Sequence, residues 1–99
     1  MASKDLQKIH QFDGANFSFW KHRMTFYLIS LGPEVWKSVQ HGYKVPSPPP
    51  TDLDGRKIYI ANAKTLNSIT TGISDLEFTK IMNCESAEEM WDKLIGIYD

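Results

Sequence analysis

The stretch K-V-P-S-P-P-P-T-D-L-D-G, residues 44–55, holds four of the chain's five prolines and limits the possible folds more than any other feature. Proline lacks the backbone N–H that a helix interior or a central strand requires, and its ring fixes φ. Residues 44–54 are therefore expected to form an extended, exposed loop between two ordered stretches. Both stretches place apolar residues three and four apart rather than in alternation. I-Y-I-A at 58–61 is strand-like in isolation, but the helical spacing continues through Leu66. With no convincing period of two and no internal repeat, the expected fold is all-α: a compact bundle of about five helices.

The helix boundaries follow from local chemistry. Gly14 lets the chain turn in, and Asn16 is suited to cap the first helix, which runs to about Leu31 and ends at Gly32-Pro33. Pro33 fits the first turn of a short second helix carrying Val35, Trp36 and Val39, which Gly42 stops. A third helix spans about Asp54 to Thr71, with Tyr59, Ala63, Leu66, Ile69 and Ile73 at helical spacing, Ala61 and Ala63 allowing close approach, and Gly72 breaking it. Two capping-box patterns come next. Ser74-Asp-Leu-Glu77 opens a short helix with Leu76, Phe78 and Ile81; Ser86-Ala-Glu-Glu89 opens the last, with Met90, Trp91, Leu94, Ile97 and Tyr98. Residues 1–11 are polar and expected to be a flexible arm.

The first helix has two apolar stripes. At about 100° per residue, Phe17, Trp20, Met24, Tyr27, Leu28 and Leu31 share one face, and Phe19, Phe26 and Ile29 fall nearly opposite. A helix apolar on two faces is either buried all round by its neighbours or keeps one face for a partner. Those three residues are the candidate assembly or partner contacts.

Little in the chain suggests catalysis. No HExxH, GxSxG or Walker-type glycine loop is present. His10 lies in the arm, and His22 and His41 sit among polar residues. The single cysteine, Cys84, has no partner for a disulfide and no C-x-x-C spacing for zinc. Glu85, Glu88 and Glu89 suit the start of a helix, where its dipole favours negative charge. No enzyme, cofactor or metal is expected. Net charge is −1, from 11 basic and 12 acidic residues, without the overall basic field that phosphate binding requires. Lys21, His22 and Arg23, with Lys4 and Lys8, are the weak candidates for RNA contact. There is no signal peptide and no run approaching the roughly 20 apolar residues of a membrane span, so a soluble, cytoplasmic chain is expected.

Three aromatic segments, taken in order, resemble the Gag polyproteins of copia-type LTR retrotransposons, plant elements in particular. F-D-G-A-N-F-S-F-W-K-H-R-M matches the family's F-x-G-x-N-[FY]-x-x-W-[KR]-x-x-M through Phe12, Gly14, Asn16, Phe17, Trp20, Lys21 and Met24. Y-L-I-S-L-G-P-E-V-W-K-S-V and then G-Y-K-V-P fit the region that follows. The tail is similar to S-A-x-E-x-W-D-x-L-x-x-x-Y through Ser86, Ala87, Glu89, Trp91, Asp92, Leu94 and Tyr98. The resemblance covers residues 12–98 and implies a capsid-like N-terminal lobe at 12–99, a piece of a longer polyprotein that helps build virus-like particles around element RNA. Phe17, Trp20 and Met24 would then meet Trp91 and Leu94 across the core. Gag's CCHC zinc knuckle is missing, which assigns RNA binding to downstream regions. The expected partner is another Gag copy, with weak contacts summed over many copies. The alternative is a host-adopted lobe serving as a protein- or peptide-binding adaptor, with P-S-P-P-P at 46–50 as ligand or the helices forming a groove. Neither membrane nor small-molecule substrate is expected.

Overall fold

The computed structural model describes residues 11–99, so the predicted arm, at 1–11, lies outside the described residues but for Gln11. Five helices follow in order: α1 (Phe17–Ser30), α2 (Pro33–His41), α3 (Leu53–Thr71), α4 (Asp75–Phe78) and α5 (Ala87–Tyr98). Short α2 is the hub, packing on α1, α3 and α5. The all-α expectation holds. The proline loop is exposed from Lys44 to Pro49, and α3 begins inside the predicted loop, at Leu53, with Asp52 accepting from the Gly55 N–H at 2.8 Å.

The core is an aromatic file joining three segments that are distant in sequence. Phe12 packs on Phe17 and Tyr98, with ring centroids 5.3 and 4.9 Å apart. Trp20 meets Trp91 at 5.8 Å, and Trp91 meets Trp36 edge-on at 5.9 Å. Each such pair adds about 0.5–1.5 kcal/mol beyond the area it buries. The predicted meeting of the first and last helices across the core is present here, and Met24, Leu28 and Leu94 are buried in the same cluster.

The end of α3 gathers the N-terminal segment. The Gly72 carbonyl accepts from the Phe12 N–H at 2.9 Å and from Trp20 Nε1 at 2.8 Å, and the Ser74 N–H returns a bond to the Phe12 carbonyl. A Cβ at Gly72 would lie 2.6 Å from Met24 Cε and 3.0 Å from the Ser68 carbonyl oxygen. With φ at −87°, the conformation suits any residue, so space is what requires glycine.

Three expectations need correction. Asn16 does not cap α1: it adopts left-handed geometry at φ 58° and its side chain accepts no capping bond. The turn into α1 comes from backbone shape instead, with Gly14 at φ 105°. The buried face of α3 is rotated about one residue from the predicted stripe. Ala61, Asn62, Thr65, Ser68 and Ile69 are buried, whereas Ala63 is exposed. This polar stripe is tolerated because its groups bond one another and the backbone. Ser38 and Thr65 hydroxyls lie 2.8 Å apart across α2 and α3, Thr65 Oγ1 donates to the Ala61 carbonyl, and Asn62 Oδ1 accepts from the Ala87 N–H. Leu76 and Ile97 point outward rather than into the core. The outer stripe of α1, left open between core and partner face, is not covered by other helices among the described residues.

Candidate interaction surface

The inner face of α1 is satisfied by the core: Phe17, Trp20, Met24 and Leu28 are buried. Its outer face is not. Phe19 is 72% exposed, Phe26 63% and Ile29 47%. Seven residues separate the two phenylalanines, which stacks them on one line of the helix about two turns apart. Large apolar side chains are exposed elsewhere too, Leu53 and Leu76 among them, but here two phenylalanines and an isoleucine share one helix face, and a row of that kind in water marks a surface that something can cover.

The charges on this helix are of one sign. F-S-F-W-K-H-R-M-T-F-Y-L-I-S contains no aspartate or glutamate. The three basic residues predicted as a weak RNA patch point to different neighbours. Lys21 pairs with Asp99 and lies 6.0 Å over the Phe17 ring, fastening α1 to the end of α5. The His22 ring meets Phe26 edge-on at 5.1 Å. Arg23 is exposed and pairs with no carboxylate among the described residues.

Beside Phe19 and Arg23 the surface is concave. A groove of about 420 Å³ runs between α1 and the Asp-Gly-Ala-Asn turn, lined by Asp13, Asn16, Phe19, Trp20 and Arg23. Its loop wall is held by one local bond and one distant one: Asp13 Oδ1 accepts from the Ala15 N–H, and Gln11 Nε2 donates to the Thr71 carbonyl. A second groove, of about 520 Å³, separates the end of α2 from the start of α3 and mixes Glu34, Lys37, His41, Asp54 and Lys57.

Glu77 escaped the sequence reading. Taken as half of a capping box, it is instead 3% exposed, with its carboxylate turned inward. Ser74 Oγ does accept the Glu77 N–H, at 3.4 Å, but the Glu77 side chain accepts from the Tyr98 hydroxyl and from Lys80 Nζ. Lys80 also donates to Tyr98 Oη at 2.6 Å. These bonds, then the neighbouring carboxylate, hold the Lys80 ammonium above its usual pKa. A Cβ at Gly14 would stand 3.1 Å from Glu77 Oε2, so the glycine of the Asp-Gly-Ala-Asn turn leaves room for this carboxylate. The cluster ties α4 to α5 beneath the turn. A buried acid could be found only by knowing which residue, 21 positions on, would meet it.

Elsewhere the chemistry is sparse. Burial, then the Glu89 charge, raise the Cys84 thiol above the ordinary range. Among the described residues no group of three histidine, cysteine or acidic side chains is placed to hold a metal ion. No helix among them is long and apolar enough to cross a membrane.

Fold and surface together define a small all-α lobe with a satisfied aromatic core and, on the outer face of α1, an apolar row beside basic residues that nothing covers among the described residues. The family model for the gag-polypeptide of LTR copia-type elements matches residues 24–99, and the chain belongs to that family. No curated protein and no solved structure gave a match.

Proposed function

We propose that this lobe is a structural, non-catalytic part of a copia-type Gag that associates with further Gag copies in building virus-like particles around element RNA, within the cytoplasm. The observation that carries this reading is the exposed row Phe19, Phe26 and Ile29 on a helix whose other face is fully packed. Contacts of this size are individually weak, and a shell gains stability by repeating them. RNA contact is assigned to other regions of the polyprotein, since Lys21 is occupied by Asp99 and the chain's net charge is −1.

The adaptor alternative rests on one observation, the exposed proline segment beside the groove between α2 and α3. The two readings separate in a single experiment. Solution mass is measured by light scattering or ultracentrifugation from micromolar to millimolar chain, for the native protein and for Phe26→Asp. Mass that rises with concentration, and no longer rises in a Phe26→Asp variant with unchanged circular dichroism and melting, supports assembly through this face. A strict monomer at millimolar concentration sinks it and favours the adaptor.

A further inference from the structure

The exposed apolar residues sort by the charge of their neighbours. On α1, Phe19 and Phe26 flank His22 and Arg23, with no acid in the helix. The most exposed large apolar side chain among the described residues is elsewhere: Leu53, 75% exposed, opens α3 between Asp52 and Asp54. Asp52 is occupied as the helix cap, whereas Asp54 is exposed and makes no ion pair among the described residues.

These two features lie at opposite ends of α3. The groove beside Phe19 and Arg23 is built on Phe12 and Trp20, both bonded to the Gly72 carbonyl at the C-terminal end. Leu53 is the first residue of that 19-residue helix, about 28 Å away. Pairing α1 with its own copy about a two-fold axis centred between the phenylalanines would set the Arg23 side chains against each other. Like charges brought together in that way oppose docking.

Resting on the assembly reading above, we propose that copies join head to tail. Leu53 of one copy seats in the groove beside Phe19 of the next, and Asp54 pairs with Arg23 there. Knob and socket carry opposite charge, and each is unpartnered among the described residues of its own chain. A contact between different surfaces of identical chains is heterologous, so it repeats beyond a dimer into rings or filaments. Asp13, the groove's own acid, is directed to the Ala15 N–H.

The test uses the whole chain in sedimentation over micromolar to millimolar concentration. Leu53 and Arg23 are exposed, so Leu53→Asp and Arg23→Glu should keep native spectra and melting. Each should weaken self-association about tenfold or more, Arg23→Glu by facing Asp54 with its like and Leu53→Asp by putting a carboxylate where the groove takes an apolar side chain. Combining Arg23→Glu with Asp54→Arg in one chain should recover most of the loss. Mixing Phe19→Asp with Leu53→Asp leaves one good knob and one good socket, and should give a 1:1 dimer that does not grow. Two results overturn the inference while leaving the assembly reading intact. One is association abolished by Phe26→Asp yet unchanged by Leu53→Asp; the other is native mass that stops at a dimer. A native chain that never associates overturns both.

Discussion

Replacing Tyr98 by phenylalanine tests whether the buried carboxylate is held by the hydroxyl that meets it. The change removes one oxygen and leaves the ring, so the packing of Tyr98 on Phe12 and Phe17 is kept. What is lost is the hydroxyl bond to Glu77, a carboxylate 3% exposed, together with the acceptor for Lys80 Nζ. A hydrogen bond to a charged group contributes about 1.5–3 kcal/mol, and a buried partner left short of donors places the cost toward the upper end. At roughly 4–8 °C per kcal/mol for a domain of this size, Tyr98→Phe should melt about 10 °C or more below the native chain. Urea unfolding should show the midpoint moving with an unchanged slope. Lys80→Met should cost less, because that ammonium is half in water, where ion pairs are screened. The pH dependence separates the two partners. Lys80 titrates above its unfolded value, so its contribution is complete below about pH 10.5 and fades as pH rises through the folded pKa. The Tyr98→Phe deficit should therefore be flat from pH 6 to 9. A loss below about 0.5 kcal/mol would refute the argument and leave Glu77 held by Lys80 alone.

Two other changes probe the frame. Gly72→Ala places a methyl 2.6 Å from buried Met24 Cε, and overpacking of this kind costs about 1–3 kcal/mol in urea unfolding; an equally stable variant would show that the α3 end has slack. The Cys84 thiol, held above the ordinary range by burial and then by Glu89, should react with a disulfide reagent at pH 8 more slowly folded than in urea, and Glu89→Gln should quicken the folded rate; equal folded and unfolded rates would contradict that assignment.

Local signals carried most of the helix boundaries. Gly32-Pro33 closes α1 and opens α2, and Ser74 and Ser86 each accept the amide three residues on, because these effects depend on neighbours in the chain. Asn16 misled because asparagine also tolerates left-handed backbone, which it adopts there while its side chain accepts no bond from the helix. On α3 the apolar pattern pointed about one residue away from the true core face. Asn62, Thr65 and Ser68 look like a solvent stripe until the Ser38 hydroxyl and the Ala87 N–H are brought to it by α2 and α5. Phe19 and Phe26 were visible as a second stripe, but a helical wheel cannot show whether another helix covers it. The groove against the Asp-Gly-Ala-Asn turn depends on the Phe12–Gly72 bond, which spans 60 positions, and no local pattern encodes it.

That same bond has a consequence for how the chain is made. The Gly72 carbonyl receives Phe12 and Trp20, and Tyr98 closes the aromatic file over Phe12 and Phe17. On a ribosome the first helix thus emerges with both apolar faces bare and waits for residues 72 and 98 before either the segment ahead of it or its inner face is complete. Loops this long close late, and exposed apolar surface invites association meanwhile. In neighbouring nascent chains on one messenger, that bare surface would be open to contact before any lobe had finished folding.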